Sequence, residues 1–307
     1  MKILVTGGTG YLGTAIVAAL QRRGHEAVVF ARTPPAAMAG RAIAGDVTDA
    51  AALARAARET DAICHSAALV SVWQRDRSRF DAVNVGGLRH AIAAAKAAGH
   101  DRFVYTSSFL ALPPGGGAAP ARGNDYQRTK VEAAAVAEQA ARDGFPITRL
   151  YPGVIYGPGD ERDSNLVGRL VRQQLTRTSP GIVGGDRLWS FAWLEDVAEA
   201  HVAALERGGA GAFMLGGENL PQRRLYEIVQ KETGAPVPRA LPPWVARAAG
   251  VFELARARIT GRPPAVTPAT VSIFERDWPL DNTAAEAELN YHVTPLVEGV
   301  RRLLAPT

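Results

Sequence analysis

A single cysteine, Cys64, stands among 307 residues. One thiol excludes an intramolecular disulfide and any metal site built from several cysteines. The six histidines (His25, His65, His90, His100, His201 and His292) show no ligand spacing with acids or with Cys64, so no metal is expected. Long apolar runs are missing too. The alanine-rich stretch 91–98 is short and carries Lys96, far from the ~20 apolar residues of a membrane span. No basic n-region precedes the strand-like Lys2-Ile3-Leu4-Val5, which gives the expectation of a cytoplasmic protein with no membrane partner. A dominant charge is also lacking: 35 Lys and Arg face 30 Asp and Glu, for a net charge of +5. The pI of about 9.6 therefore comes without a basic stripe. The densest basic run, Gln74-Arg75-Asp76-Arg77-Ser78-Arg79, is broken by an acid, and nucleic-acid binding is not expected. With 47% hydrophobic and 21% charged residues, the composition is that of a folded globular chain long enough for one or two domains.

What is present alternates between two periods. Short apolar runs at 3–5, 27–30, 62–66, 103–106 and 147–151 read as buried strands. Between them, 12–23, 50–58, 80–98 and 126–142 have helical spacing. This β-α alternation implies a doubly wound parallel sheet with helices on both faces, a Rossmann-type α/β fold. After about Pro158, Pro and Gly become denser and helical segments dominate (196–206, 222–232 and 244–258), with candidate strands at 188–191 and 212–215. The expected division is a dinucleotide-binding domain over 1–157 and a smaller, mostly helical substrate-binding region over 158–307, part of 188–215 returning to the first.

Thr6-Gly7-Gly8-Thr9-Gly10-Tyr11-Leu12-Gly13 lies between the first strand and the first helix. Gly7 permits a tight turn, Gly10 lets backbone approach a pyrophosphate, and Gly13 lets the helix pack close, while the helix amino end supplies donors and positive dipole. At the end of the second strand an NAD site places an acid. Here Phe30 and Ala31 occupy that place and Arg32 follows, which favours NADP(H) over NAD because a guanidinium suits the extra phosphate. Further on, Asp46 and Val47 are candidates for the adenine, although Asp46 or Thr48 can equally cap the next helix.

Tyr126-Gln127-Arg128-Thr129-Lys130 is a Y-x-x-x-K, preceded by Tyr105-Thr106-Ser107-Ser108 at a strand end. With the glycine loop, His65-Ser66-Ala67-Ala68, Asn84-Val85-Gly86-Gly87 and Tyr151-Pro152-Gly153-Val154-Ile155-Tyr156-Gly157-Pro158-Gly159-Asp160, the chain resembles the extended short-chain dehydrogenase/reductase family, of NAD-dependent epimerase/dehydratase type. Its tail, from Leu241-Pro242-Pro243-Trp244 to Gly261-Arg262-Pro263-Pro264, is similar to the dihydroflavonol-4-reductase-like branch, which also holds proteins labelled as sugar epimerases. The resemblance implies that Ser108 bonds the reacting carbonyl, with Ser107 its rival, that Tyr126 is the general acid, that Lys130 holds the nicotinamide ribose, and that Asn84 is a structural and relay residue. It also places Thr9, Tyr11, Leu12, Ala67, Ala68, Thr106, Tyr151, Pro152 and Val154 beside the dinucleotide. Tyr126 and Lys130, one helical turn apart, supply their own logic: an ammonium lowers a phenol's pKa from about 10.

Phe109 and Leu110 follow the serine where dehydratases of this family carry an Asp-Glu pair, so dehydration is not expected. Trp189 stands where many sugar-nucleotide epimerases carry a diphosphate-clamping Arg, with Arg187 two residues away on the same strand face. Trp73, Phe109, Tyr156, Trp189 and Phe191 suggest an aromatic-lined pocket for an apolar substrate. The segment from Ser108 to Tyr126 is shorter than the resemblance implies and rich in Gly and Pro. The expected activity is reduction of an aldehyde or ketone to an alcohol, or the reverse, on a small molecule with NADP(H). The alternatives are an epimerase with tightly held NAD and a non-catalytic dinucleotide sensor. Helices 80–98 and 126–142, both Ala-rich, suit either a homodimer interface or packing within the chain.

Overall fold

A computed structural model describes residues 1–35, 41–117, 123–159 and 165–305. Asp160, which closes one of the motifs, and positions 118–122 of the short segment before Tyr126 lie outside the described residues. Strands β1 (Lys2–Thr6), β2 (Glu26–Ala31), β3 (Ala42–Ala44), β4 (Ala62–His65), β5 (Phe103–Thr106), β6 (Ile147–Pro152) and β9 (Gly211–Leu215) form one sheet in the order β3-β2-β1-β4-β5-β6-β9. Every pairing in it is parallel, which requires crossovers and buries both faces. Continuous apolar strands such as Ile3-Leu4-Val5 meet that requirement, and all three residues are fully buried.

On one face lie α1 (Tyr11–Arg22) and α7 (Leu194–Arg207), with Ile16, Leu20, Val197 and Leu205 packed on β1, β4 and β9. On the other lie α2 (Ala50–Ala57), α4 (Gly87–Ala98) and α5 (Asp125–Arg142). Ala91, Ala94 and Ala95 of α4 and Ala133, Ala137 and Ala140 of α5 are buried there with Ala52, Ala56 and Ala57 of α2. These alanines are thus used inside the molecule, letting the helices approach the sheet and one another closely. The reversal of winding direction between β1 and β4 opens a crevice at the carboxyl ends of the strands, the place where doubly wound sheets bind ligands. This is the Rossmann-type architecture expected from the alternation.

The carboxyl-terminal half differs from the expectation in one respect. β7 (Val154–Tyr156), β8 (Leu188–Trp193) and β10 (Glu218–Pro221) form a second sheet in the order β10-β8-β7. Strands of three and four residues, one ending in proline, leave too little period-two signal to read. Around this sheet pack α6 (Leu166–Leu175), α8 (Gln222–Thr233), α10 (Pro268–Phe274) and α12 (Leu296–Leu304). The core they share includes Tyr156, Trp189, Phe191, Trp193, Leu225, Trp278 and Val300. α9 (Pro243–Thr260) lies on α10, and α11 (Thr283–Leu289) on α7 and β9. No helix among the described residues is long and apolar enough to cross a membrane.

Candidate active site

The glycine loop turns as its residues dictate. Gly7 has φ +75°, a region costly for residues with a Cβ, and its carbonyl accepts from Gly10 N at 2.8 Å. A side chain at Gly13 would stand 2.0 Å from that carbonyl oxygen, and one at Gly7 would stand 2.7 Å from Ala67 N. Glycine therefore lets α1 begin directly on the loop, beside Ala67 and Ala68. Gly10 is the N-cap, with no side-chain cap, so the first-turn N–H groups of α1 fit the oxygens of a diphosphate. Tyr11 supplies the first of those N–H groups, while its hydroxyl donates to the Gly157 carbonyl at 2.9 Å and burial pushes its phenol up. It ties α1 to the segment after β7. Leu12 packs on the core, and Thr9 sits in the loop itself.

At the end of β2, Phe30 is core and fills the space that a side chain at Gly45 would need. Arg32 is exposed just beyond. Asp46 takes Thr48 N and Thr48 Oγ1, each at 2.9 Å, on one carboxylate oxygen. The cap of α2 is neither of the two residues expected: Asp49 accepts from Ala52 N at 2.9 Å. Val47 is buried against Gly87, beneath α4.

α5 starts where Asn124 caps it by accepting from Gln127 N at 2.9 Å. Tyr126 is thereby in the first turn, and Lys130 one turn on. Asn84 sits in a π-helical turn, Asp81–Gly86, that joins α3 (Ser78–Phe80) to α4. Its Oδ1 accepts from Leu69 N at 2.7 Å and its Nδ2 donates to Thr129 Oγ1 at 2.9 Å. Asn84 thus fastens the loop after β4 to the residue preceding Lys130. Bidentate pairs Arg77–Asp125 and Arg128–Asp81 dock the same elements from outside. The π turn has no counterpart in the periodicity, because it is a local widening that leaves the apolar pattern of a helix unchanged.

Ser108 and Ser107 separate by register. Ser108 opens a 3₁₀ turn, Phe109–Ala111, accepting from Leu110 N at 3.2 Å, and its hydroxyl lies against Tyr126, opposing the effect of burial on the phenol. Ser107 is buried and turned toward Tyr105. Ser108, Tyr126 and Lys130 therefore meet at the carboxyl end of β5. The charge state differs from the simple ammonium argument. Burial pushes the Tyr126 phenol up to about 12 and brings the Lys130 ammonium down to about 7. Lys130 Nζ donates to the Thr106 carbonyl at 3.0 Å and lies 5.9 Å from the Tyr126 ring centroid. Desolvation exceeds the Coulombic pull here.

Two histidines behind this cluster had no readable catalytic pattern. His201, on α7, donates from Nδ1 to Val197 O at 2.7 Å and accepts from the Thr106 hydroxyl at Nε2, 2.9 Å. Thr106 is thus held on one side by His201 and holds Lys130 on the other. His65 pairs Nδ1 with Thr6 Oγ1 at 2.9 Å. Burial, assisted by nearby Lys130, brings its pKa down to about 3, and burial brings that of His201 down to about 4.

The aromatic candidates divide. Trp73 and Phe109 are part-exposed, and Phe109 packs edge-on against Trp278 at 5.3 Å, a partner with no sequence signal. Tyr156, Trp189 and Phe191 are no more than 2% exposed; they fill the second core, which corrects their expected place on a pocket wall. Trp189 and Phe191 lie on β8, the middle strand of that sheet, and Tyr156 on β7 beside it. Arg187 does not stand in for a clamp: its guanidinium pairs with Asp277 at 3.3 Å. Tyr151, Pro152 and Val154 lie along β6 and β7 where the two sheets diverge. No group of three His, Cys, Asp or Glu among the described residues is placed to hold a metal ion.

A model of the NAD dependent epimerase/dehydratase family matches residues 3–216. Among curated relatives, sterol demethylase protein B of Methylococcus capsulatus is 34% identical over 79% of this chain and 78% of its own. The 2-alkyl-3-oxoalkanoate reductase of Stenotrophomonas maltophilia is 32% identical over 99% of both chains. Among solved structures, that of gox2253 superposes with a TM-score of 0.79 at 26% identity, covering 98% of this chain and 97% of that one. The UDP-glucose 4-epimerase of Thermus thermophilus, in complex with NAD, shares the fold with a TM-score of 0.75 at 23% identity, over 99% and 97% of the two chains.

Proposed function

The chain belongs to the NAD dependent epimerase/dehydratase family, and from that premise we propose that it is an NADP(H)-dependent oxidoreductase reducing a ketone or aldehyde on an apolar small molecule to the alcohol. The observation that carries this reading is the placement of the Tyr126 phenol against the Ser108 hydroxyl with Lys130 one turn along the same helix. A bound dihydronicotinamide supplies a hydride to the carbonyl carbon. Ser108 donates a hydrogen bond to the carbonyl oxygen, and Tyr126 delivers its phenolic proton to that oxygen as charge develops there. A phenol raised to about 12 stays protonated at neutral pH, which suits the reducing direction. The Gly7–Gly13 loop would hold the diphosphate, Arg32 the ribose phosphate, and Lys130 the nicotinamide ribose.

The name of the relative aligned over 99% of both chains, a 2-alkyl-3-oxoalkanoate reductase, supports a ketone on an alkyl-bearing molecule. The buried Trp189 and the occupied Arg187 weigh against a sugar-nucleotide epimerase. The reading takes the chain as a cytoplasmic enzyme, with dinucleotide bound by 1–157 and substrate held mainly by 158–307.

The test begins by denaturing freshly purified protein and identifying any dinucleotide released, then titrating empty protein with NADPH and NADH. Preference for NADPH, with turnover of alkyl ketones lost by a factor of about 10³ in Tyr126→Phe while NADPH still binds, is the expected result. Tightly retained NAD⁺ would move the chain to the epimerases. Unchanged turnover in Tyr126→Phe would remove the mechanism.

A further inference from the structure

Helix α9 is attached along one side. Its buried residues are Ala246, Gly250 and Ala257, and a side chain at Gly250 would meet Thr267 and Pro268 backbone atoms at 2.9 Å, so the helix lies close against the start of α10. The other side carries Trp244, Ala248, Val251, Phe252, Ala255 and Ile259, all exposed. At 100° per residue these six fall in one arc of about 100° and run for about 22 Å. Trp244 is 71% exposed, Phe252 69% and Ile259 84%. Single exposed apolar residues are ordinary, but a contiguous strip of large ones marks an interaction surface.

The unpaired charges around the strip have one sign, Arg247 of the same helix being paired with Glu275. Glu253, the carboxylate of α9, lies about half a turn from Trp244, held by Arg256 and by Ala265 N. Arg258 stands in the last turn, Arg262 follows the helix, and the Arg75 guanidinium, from the loop after β4, lies beside Gly261. None of these three arginines is paired with a carboxylate among the described residues. A twofold contact with a second copy would set this strip and these cations against themselves. A surface of anionic headgroups supplies the missing negative charge and an apolar layer beneath it.

We propose that α9 docks in the plane of an anionic phospholipid surface, its apolar strip entering the interface and Arg75, Arg258 and Arg262 meeting the headgroups. The expectation of no membrane partner rested on the lack of a span, and an in-plane helix needs none. Arg75 belongs to the loop whose start, Leu69, is fastened by Asn84 beside Tyr126 and Lys130, so docking sets that flank of the candidate site near the lipid. The docking does not depend on which reaction the site performs.

The test is flotation of the whole chain with phosphatidylcholine vesicles, with and without phosphatidylglycerol, beside Phe252→Ser/Ile259→Ser and Arg258→Glu/Arg262→Glu. Wild type should float with the anionic vesicles and be released by salt. Each double variant should lower the bound fraction about tenfold while keeping wild-type circular dichroism and dinucleotide binding. Failure of the wild type to float, or equal flotation of wild type and Phe252→Ser/Ile259→Ser, overturns the proposal. So does a wild-type dimer that does not float and that Phe252→Ser/Ile259→Ser makes monomeric, which would assign the strip to a second copy.

Discussion

His65 and His201 make acid stability a quantitative reporter of how the site is built. Both are fully buried and neutral, with pKa values brought from 6.5 down to about 3 and about 4. As pH falls below 6.5 the unfolded chain takes up a proton on each, while the folded chain takes up neither until pH nears those lower values. The unfolded state therefore binds more protons throughout that window, and folding stability falls with pH. Each histidine contributes a slope of about 1.4 kcal/mol per pH unit, so the pair together removes about 2 to 3 kcal/mol on going from about pH 6 to about pH 5. Carboxylates with lowered pKa add to acid destabilisation, but they are common to any variant at these two positions. The assay is urea unfolding of wild type and His65→Gln/His201→Gln across this range. The variant is expected to be less stable at neutral pH, since it loses the Thr6 and Thr106 contacts, yet to have a flatter dependence on pH. Parallel pH profiles for the two proteins would refute the claim that these imidazoles are buried neutral.

Two further changes probe the dinucleotide site. Arg32→Asp should weaken NADPH about 10- to 100-fold in fluorescence titration and leave NADH nearly unchanged, because it removes a charge-assisted contact that only the extra phosphate uses; equal losses for both would assign Arg32 to general electrostatics. Gly13→Ala places a methyl 2.0 Å from the Gly7 carbonyl oxygen, so the loop must shift, and binding of either dinucleotide should fall at least about tenfold; normal binding would show that the loop is not held against α1.

The parts of the site legible in sequence are those fixed by neighbours in the chain. Gly7, Gly10 and Gly13 are required by a turn of eight residues, and Tyr126 and Lys130 share a face because they are one turn apart. The preference for Ser108 rested on motif register; at the end of β5 Ser108 lies against Tyr126 while Ser107 is turned inward toward Tyr105. What escaped depends on distant contacts. Thr106 meets His201, 95 positions away, and Phe109 meets Trp278, with no periodicity to announce either. The charge state of the Tyr126–Lys130 pair was misread for the same reason: spacing reveals the ammonium's proximity, but desolvation is a property of everything packed around it. Tyr156, Trp189 and Phe191 looked like pocket residues because an aromatic in sequence does not reveal which side of a short strand faces the core.

The burial that shifts Lys130 carries a stability cost that is concentrated in one place. His65 Nε2 is buried without a hydrogen-bond partner among the described residues. Lys130 Nζ stands 5.5 Å from the Tyr105 ring centroid, and the His65 and Tyr105 rings are 6.2 Å apart. Such an atom costs about 1 to 3 kcal/mol, a burden that a core built only for stability would shed. No carboxylate among the described residues approaches Lys130 to restore its charge, and a protonated His65 would oppose it further. Burial thus brings the Lys130 ammonium down to about 7 and pushes the neighbouring Tyr126 phenol up. An acidic residue in place of His65 would relieve the desolvation of Lys130, return it to the ordinary lysine range, and fix a permanent cation next to Tyr126. The neutral layer behind β5 is therefore what keeps Lys130 and Tyr126 from forming a static ion pair.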